Sequence, residues 1–345
     1  MARLRIRDIA EQAGVSPATV SRYLNNQPGQ MTEETRVRIA EVIERTGYRP
    51  RSAARNLRST RSGLIGVVME DVSNPYASAM LEQLSARAAE RGSSLMTAFS
   101  GGDAHIEAAA LDRLIDAGVD GLIINTCGGN DGAVLDASRR VPTVLLDRSL
   151  GDASLDVVTS NNDELMGRLV CEIAESGCRV VYLLTEKSDA STVRRIRVRS
   201  FQEACEERGL RGMVCVLSGD ADEGAKQIDG CIMSAAGERL GVIAVNGLVF
   251  LRLVNAVTQM GPMLPSGMSL ATFDDYPWNH VLFGGVTTAA QDTEEIARAL
   301  VDRLMRRIEI ELSAVGGAAR MEPVRIEVPG RVLVRSTTAS HRGEG

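Results

Sequence analysis

Short polar side chains and one arginine occur together near the N-terminus of this 345-residue chain, in the segment PATVSRYL (17–24). If that segment is a helix, its outward positions are Ala18, Thr19, Ser21, Arg22 and the following Asn25. Small side chains let a helix enter the major groove of DNA, where a guanidinium donates two hydrogen bonds to a guanine edge. The segment therefore predicts a base-reading helix, and the alternative is an exposed helix of a small bundle.

A second group of polar residues follows strand-like apolar runs in the rest of the chain. The carboxyl ends of parallel strands meet at one edge of a sheet, where ligands bind. The candidates are Asp71, Ser73, Asn74, Tyr76, Asn125, Thr126, Asp147, Arg148, Arg195, Arg197, Asn246, Asp274 and Asp275. Each alone is more often a turn or capping residue, but together they predict a cleft for a small polar molecule.

Three short helices are expected to position the first group. The apolar spacing indicates a helix over Ile6–Ala13, which the turn Gly14–Ser16 ends. Pro17 suits the first position of the next helix, where no backbone donor is needed. A third helix begins near Thr32 and ends at Gly47. Short helices joined by a glycine turn form a helix-turn-helix arrangement.

Charge is distributed unevenly along the chain. Residues 1–62 contain twelve arginines, no lysine and six acidic residues, which gives a net charge of +6. The whole chain carries −6, so residues 63–345 carry −12. A basic head on an acidic body is typical of a phosphate-binding module attached to a soluble sensor. Charge alone leaves nucleic-acid binding and a solvated basic face both open.

From Gly63 onward, apolar runs alternate with helical segments. The strand-like runs are residues 63–69, 94–99, 121–125, 143–147, 179–184, 213–217, 241–246 and 268–273. Helical segments between them include residues 74–91, 105–117, 163–176 and 197–208. The alternation predicts parallel sheets with helices on both faces. The expected fold is a small all-α helix-turn-helix headpiece plus an α/β sensor of two doubly wound lobes.

Several classes of protein are not expected. The sequence has no run of eighteen apolar residues and no apolar leader, so we expect a cytoplasmic protein without a membrane partner. Six cysteines form no CxxC pair and three histidines are scattered, so neither a metal nor another cofactor is expected. A P-loop, a GxSxG elbow and a GxGxxG turn after a strand are all absent, and no nucleophile accompanies His280, so we do not expect an enzyme.

The strings IRDIAEQAGVSPATVSRYLNN (6–26) and TRVRIAEVIERTGYRPRSAARNLRSTRSGLIGVV (35–68) carry a specific resemblance. Residues 5–62 resemble the headpiece of the LacI/GalR (lactose/galactose repressor) family, with Arg5 where that family usually has a capping threonine. The resemblance implies a transcriptional regulator, a repressor of genes for carbohydrate or sugar-acid catabolism. The DNA-binding residues that it implies are Ile6, Ser16, Pro17, Ala18, Thr19, Ser21, Arg22, Asn25, Thr32, Thr35, Tyr48, Arg51, Ala54 and Leu57.

Residues 51–62 are predicted to be a hinge. The stretch SAARNLR (52–58) is too short to be a stable helix by itself in water, and without the resemblance it would be a plain linker. The resemblance implies that it folds on DNA, where Leu57 of each subunit wedges into the minor groove with Ala54 beside it. Two wedges side by side imply a homodimer on palindromic operator DNA.

The body resembles the periplasmic-binding-protein-like sensor of the same family. The strings VSNPYASAMLEQLSARAAERG (72–92), PTVLLDR (142–148), RIRVRSF (195–201) and GGVTTAAQDTEEIA (284–297) carry this resemblance. It implies that Asn125, Asp147, Arg197 and Asp274 contact a small-molecule effector. With the other candidates, the predicted effector residues are Asn74, Tyr76, Asn125, Asp147, Arg195, Arg197, Asn246, Trp278 and Asp274.

Two features of the sequence bear on the effector. The family usually has Asn-Asp where this chain has Asn246-Gly247, so one acidic contact is absent. The segment TFDDYPWNHVLFGGVTTAAQ (272–291) resembles the branch that senses sugar acids such as ketogluconates. The arginines at 194, 195, 197 and 199 would suit a carboxylate, or else form a solvated helix start. We therefore expect a sugar or a sugar acid, such as a ketogluconate-type ligand.

The predicted boundaries are a headpiece at 1–50, a hinge at 51–62, a sensor and dimerisation domain at 63–335 and a polar tail at 336–345. Within the sensor, the N-lobe takes residues 63–161 and 290–316, and the C-lobe takes residues 163–287 and 320–335. The tail has no leucine heptad, so a tetramer-forming coiled coil is not expected. Two alternatives stay open: a DNA-binding protein without small-molecule control, and a sugar-binding protein that does not bind DNA.

Overall fold

Three helices form the N-terminal unit, which comprises residues 1–62. They are α1 (Ile6–Gln12), α2 (Pro17–Leu24) and α3 (Glu33–Thr46). The computed structural model describes residues 4–24, 31–48, 61–151, 155–187, 191–235, 237–261, 263–313 and 321–339. The predicted contacts Asn25, Arg51, Ala54 and Leu57, and with them most of the hinge, lie outside the described residues.

The three helices enclose a small apolar core. Ile9, Val20 and Ile39 are fully buried, one from each helix, and Val42 packs beside them. The predicted helical spacing is what brings these residues to one side of each helix. This core fixes the angle between α1 and α2, and therefore which face of α2 stays exposed.

Local chemistry defines where these helices begin and end. The backbone N–H of Arg5 donates to the Asp8 carboxylate at 2.6 Å, so Asp8 closes the start of α1 although no threonine stands there. Gly14 and Gly47 adopt left-handed backbone conformations, with φ of 64° and 62°, directly after α1 and α3. Glycine takes that conformation without steric cost, which explains both turns.

The second unit, residues 63–345, contains two parallel-rich sheets with helices on both faces. The first sheet has the strand order β11-β5-β4-β3-β1-β2, and all its strands are parallel. Its strands are β1 (Leu64–Met69), β2 (Ser94–Phe99), β3 (Gly121–Ile124), β4 (Thr143–Leu146), β5 (Asp156–Ser160) and β11 (Arg325–Val328). Its helices are α4 (Pro75–Glu90), α5 (Ala104–Asp116), α6 (Asp131–Arg140) and α11 (Thr293–Ser313). This sheet and its helices form the first lobe.

The second sheet has the order β12-β10-β9-β8-β6-β7, in which only the edge strand β12 is antiparallel. Its strands are β6 (Val180–Thr185), β7 (Arg211–Val216), β8 (Leu240–Ala244), β9 (Met268–Phe273), β10 (Thr287–Ala290) and β12 (Arg331–Leu333). Its helices are α7 (Asn162–Glu175), α8 (Thr192–Glu207), α9 (Ala221–Ser234), α10 (Gly247–Met260) and the short α12 (Ser336–Ala339). This sheet and its helices form the second lobe. The predicted fold class, a helical headpiece followed in the chain by two doubly wound lobes, is confirmed.

All eight predicted apolar runs are strands, but four further strands carried no such signal. The strands β5, β10, β11 and β12 are short and rich in polar or small residues, so their positions depend on pairing with neighbours. The predicted helix 197–208 begins five residues earlier, at Thr192, because the Ser191 hydroxyl accepts a hydrogen bond from the Arg194 N–H and caps it. None of the helices that the structure describes is long and apolar enough to cross a membrane.

The chain passes between the lobes three times. Two passages lie at residues 161 and 291–292, close to the expected positions. The third lies at Pro329–Gly330 and not at 316–322, because β11 pairs with β5 in the first sheet. Likewise, the expected polar tail starts as helix α12, where Thr337 and Thr338 are buried and bonded to the second lobe. These two boundaries of the predicted domain division therefore move.

A buried carboxylate joins three segments of the first lobe. Asp156, at the start of β5, is fully buried and accepts hydrogen bonds from Arg303 at 2.6 and 2.9 Å, from Arg307, and from the Val324 N–H at 2.8 Å. Burial opposes its ionisation, but the hydrogen bonds from Arg307 and Arg303 outweigh burial and lower the pKa of Asp156. The cluster attaches helix α11 to the edge of the sheet.

We expect the substitution Asp156→Asn to lower the free energy of unfolding by about 3 kcal/mol near neutral pH, because it leaves two inward-facing guanidiniums without their anion. The folded-state pKa is lowered, so this contribution is present above about pH 4, the ordinary value, and is lost as the pH falls through the folded-state value. Urea unfolding at neutral and acidic pH measures both effects. Asp136→Asn, which removes an exposed partner of Arg139, is the control and should change little. Equal losses in the two variants would contradict the assignment.

Candidate functional site

The outward face of α2 consists of small residues and one arginine. Ser16, Pro17, Ala18 and Arg22 are exposed, and Val20 faces the core. Ser21 is half-buried, and α2 begins directly after Ser16. The face predicted to read DNA is therefore on the surface of this unit.

Two pairs of hydroxyl groups mark the starts of α2 and α3. The Ser16 hydroxyl lies 2.9 Å from that of Thr19 and accepts the Thr19 N–H at 3.1 Å. Thr32 and Thr35 repeat this arrangement, with distances of 2.9 and 3.3 Å. A helix start that carries hydroxyls and unpaired N–H groups is suited to bind phosphate. Of the remaining predicted contacts in this unit, Ile6 and Tyr48 pack against the apolar core and are only partly exposed.

A cavity opens where the two lobes of the second unit face each other. Its volume is about 70 Å³, and it adjoins a second cavity of about 250 Å³ that shares five of its lining residues. The first cavity is lined by Glu70, Asn74, Tyr76, Asn125, Asp147, Arg148, Ser191, Val193, Arg194, Arg197, Asn246, Asp274 and Gln291. These residues follow strands β1, β3, β4, β8, β9 and β10 or lie near the starts of helices α4 and α8, so both lobes contribute.

Arg197, on α8, is 5% exposed and is held by the second lobe. Its Nε donates to the side-chain Oδ1 of Asn162 at 2.8 Å, and its Nη1 donates to the backbone carbonyl of Val245 at 2.7 Å. The guanidinium carbon lies 3.7 Å from the centre of the Phe273 ring. Burial lowers the pKa of Arg197, and the charges of Asp274 and Asp147 oppose that shift.

Asp147 and Asp274 approach Arg197 from opposite lobes. Each directly follows a strand, β4 or β9, and each has a positive φ, 65° and 70°. A left-handed backbone is uncommon outside glycine and often occurs at functional sites. Burial raises the pKa of both carboxyl groups, and the charge of Arg197 opposes the shift. Among the described residues, no ion pair within 4.0 Å joins the guanidinium to either carboxylate.

Further polar atoms orient these charges. Gln291 Nε2 donates to Asp274 at 2.6 Å, and the other side-chain atom of Gln291, Oε1, is buried without a partner in the described part of the chain. The Tyr76 hydroxyl is also buried and has no hydrogen-bond partner among the described residues. Burial and the nearby negative charge of Asp147 raise the pKa of Tyr76. Buried polar atoms that lack partners in the protein are placed to bind a ligand or water.

Two ion pairs frame the cavity. Arg148 is 5% exposed and pairs with Glu70, and Arg194 pairs with Glu186 at 3.1 Å. Asn246 donates to the same Glu186 at 3.1 Å and also caps helix α10. The arginines of the frame are therefore largely neutralised, whereas Arg197, Asp147 and Asp274 form the central charged group.

The structure brings together seven of the nine predicted effector residues: Asn74, Tyr76, Asn125, Asp147, Arg197, Asn246 and Asp274. Arg195 is the first exception. It lies two residues before Arg197 on the same helix, which is more than half a turn, and its side chain is exposed. Trp278 is the second, because its ring packs on Tyr276 and against the core of the second lobe. Gln291 was not among the candidates, because it follows the short strand β10, which carries no apolar signal in the sequence.

The surroundings of Gly247 explain why glycine follows Asn246 here, where the family resemblance would give an aspartate. A Cβ atom there would lie 2.8 Å from Cε2 of Tyr276, so the ring occupies the space that a side chain at 247 would need. The Tyr276 ring lies 4.7 Å from that of Trp278, and its hydroxyl is buried beside Asp274. The Tyr276 ring therefore occupies the space where the family resemblance would place an acidic side chain.

We expect Gly247→Ala to lower the free energy of unfolding by about 1–3 kcal/mol, because the added methyl group overpacks against Tyr276. The loss should shrink when Tyr276→Ala is already present, which a double-mutant cycle measures. Gly167→Ala is the matched control, since that helical glycine has open space around its Cβ position. A loss at Gly247 that is independent of Tyr276 would disprove the steric explanation.

The site has no features of a catalytic centre among the described residues. No group of three or more histidine, cysteine, aspartate or glutamate side chains is arranged to hold a metal ion there. The six cysteines are free. Burial raises the thiol pKa of Cys127, in the loop after β3, and of Cys205, on α8. Paired acceptors and donors around a small cavity fit reversible binding of a polar molecule.

Comparison with known proteins identifies both parts of the chain. Residues 5–51 match bacterial regulatory proteins of the lacI family, and residues 170–338 match a periplasmic binding protein-like domain. The HTH-type transcriptional regulator PtxS of Pseudomonas plecoglossicida is 31% identical over 97% of this chain and 96% of its own length. The HTH-type transcriptional regulator KdgR of Bacillus subtilis is 30% identical over 96% and 97%.

A solved structure agrees with these relatives at the level of the fold. The lac repressor dimer bound to operator and the anti-inducer ONPF superposes with a TM-score of 0.82 at 22% identity, over 98% of this chain and 99% of that one. The full-length similarity to transcriptional regulators, with the matching headpiece, shows that this chain is a transcriptional regulator that belongs to the lacI family of bacterial regulatory proteins.

Proposed function

We propose that this regulator is a cytoplasmic repressor that binds palindromic operator DNA as a homodimer, joins the nucleoid while bound, and responds to a small polar effector. The observation that carries the proposal is the central charged group of Arg197, Asp147 and Asp274. These three buried charges converge from both lobes without pairing with one another. A ligand that supplies oxygen atoms and hydroxyl groups would bridge them.

The exposed face of α2 supports the DNA-binding half of the proposal. Pro17 and Ala18 offer no side-chain hydrogen bond to a base, so their contribution would be shape and apolar contact with a thymine methyl. Among the described residues of this face, Arg22 is the one long donor, and it is suited to a guanine edge. The paired hydroxyls at the starts of α2 and α3 would bind the phosphate backbone.

We expect Arg22→Ala to weaken operator binding by about 1–3 kcal/mol and to relax sequence preference, because it removes a bidentate base contact. Fluorescence anisotropy with operator and scrambled duplexes at fixed salt measures both. Arg45→Ala is the control: Arg45 donates to Gln12 at 3.0 Å at the end of α3, so its loss should affect both duplexes alike. Unchanged discrimination in Arg22→Ala would reject α2 as the reading helix.

For the effector, we propose a sugar acid of the ketogluconate type. The two aspartates and the amides of Asn74, Asn125 and Asn246 are suited to hydroxyl groups, which both donate and accept. Arg197 uses Nε and Nη1 on protein acceptors, and its Nη2 has no hydrogen-bond partner among the residues that the structure describes. That edge of the guanidinium is suited to a carboxylate or keto oxygen.

Effector binding would act through the passages between the lobes. Asn162 follows the first passage and bonds Arg197, and Gln291 lies in the second and bonds Asp274. A ligand that draws the charged groups together would therefore change lobe closure. Coupling of closure to the hinge at 51–62 would link effector and operator affinity, and that linkage is reciprocal.

We expect Arg197→Ala to abolish the effect of 2-keto-D-gluconate on operator affinity while operator binding without ligand persists. Arg195→Ala is the matched control on the same helix and should respond like wild type, since its side chain points away from the cavity. Anisotropy with and without the sugar acid, D-gluconate and D-glucose measures the response. A normal response of Arg197→Ala would overturn the cavity assignment, and a response to D-glucose alone would replace the sugar acid by a neutral sugar.

A further inference from the structure

Glu107 is a fully buried carboxylate in the first lobe that does not line the cavity. It stands in the first turn of α5 and accepts three hydrogen bonds from the loop that follows β3. The donors are the Thr126 hydroxyl at 2.7 Å, the Cys127 N–H at 2.7 Å and the Asn130 amide at 3.5 Å. The Thr126 hydroxyl in turn accepts the Gly128 N–H at 3.1 Å. One carboxylate thus bonds three residues of the 126–130 loop, in which the Asn130 amide also donates to the Ala104 carbonyl at 2.9 Å.

That loop holds two groups of the cavity. The Thr126 carbonyl accepts a hydrogen bond from Arg148 Nη1 at 2.5 Å, and the other end of the guanidinium pairs with Glu70. Asn125, directly before the loop, donates to the Leu146 carbonyl at 3.2 Å and lines the cavity. A shift of the loop would therefore move the support of Arg148 and the amide of Asn125 together.

The role of Glu107 is directed at the loop and not at the apolar core. Its carboxylate oxygens face donors of the loop, whereas Leu111 and Leu114 of the same helix pack in the core on Ile124 and Val134. The position near the start of α5 favours a negative charge there. Removal of the acceptor would strand the buried Cys127 N–H and the Thr126 hydroxyl while the core stays packed.

We propose that Glu107 is a positioning residue for effector recognition, which acts through the 126–130 loop on Asn125 and Arg148. This inference rests on the proposed function, because the cavity must be the effector site. Glu107 itself touches no ligand. It sets the geometry of the first lobe's side of the cavity, opposite Arg197 and Asp274.

The test compares Glu107→Gln with Asp156→Asn in the full-length protein. Both changes turn a buried carboxylate of the first lobe into its amide, but the Asp156 contacts are with α11 and residue 324, away from the loop. The readouts are calorimetric titration with 2-keto-D-gluconate, operator affinity without ligand, and hydrogen–deuterium exchange of residues 125–130. Thermal unfolding of each variant shows how much stability the substitution removes.

We expect Glu107→Gln to lower the affinity for 2-keto-D-gluconate at least about tenfold, because one buried donor of the 126–130 loop loses its acceptor. Exchange should rise in residues 125–130 and stay unchanged in β1 and β3, with operator affinity as in wild type. Asp156→Asn should lose stability and keep its affinity for the sugar acid. Wild-type affinity in Glu107→Gln, or an equal loss in both variants, would overturn the positioning role.

Failure of the proposed function gives a different result. If wild-type protein does not bind 2-keto-D-gluconate, the sugar-acid assignment is wrong, and the exchange data alone decide the role of Glu107. Unchanged exchange of residues 125–130 in Glu107→Gln would then reject the inference, and selective loss of protection there would uphold its structural basis.

Discussion

A buried guanidinium needs acceptors, and a buried carboxylate needs donors, since neither is solvated by water. Arg197 meets this constraint with the Asn162 amide, the Val245 carbonyl and the Phe273 ring, all from the second lobe. Asp147 and Asp274 meet it only in part, and each is held in a left-handed backbone that directs it out of its strand. Arg197 is therefore fixed by acceptors of the second lobe, and among the described residues it forms no ion pair with either carboxylate.

The same constraint explains why the passages between the lobes carry polar residues. Asn162 and Gln291 each bond one of the central charges, so the backbone segments that connect the lobes are attached to the cavity. Binding at the cavity and the relative position of the lobes therefore share contacts. The residues that bond Arg197 and Asp274 thus also lie where the lobes are joined.

The headpiece shows the opposite arrangement, since its functional groups are on the surface. A core of six buried apolar side chains holds the three helices together, and the exposed residues Pro17, Ala18 and Arg22 of α2 are not part of it. Asp8 replaces the expected threonine cap of α1 by accepting the Arg5 N–H, so the departure at Arg5 leaves the helix start intact.

The sequence by itself determined the helix-turn-helix, the eight apolar strands and most of the cavity residues, because helical spacing, apolar runs and strand-end polar residues are local signals. Only the tertiary structure placed β5, β10, β11 and β12, whose polar residues become strands through pairing with neighbours. It also decided that Arg195 is exposed, that Tyr276 fills the space beside Gly247, that Gln291 lines the cavity, and that Glu107 bonds the loop after β3. Those outcomes depend on contacts between residues that are far apart in the sequence, and local sequence patterns do not predict such contacts.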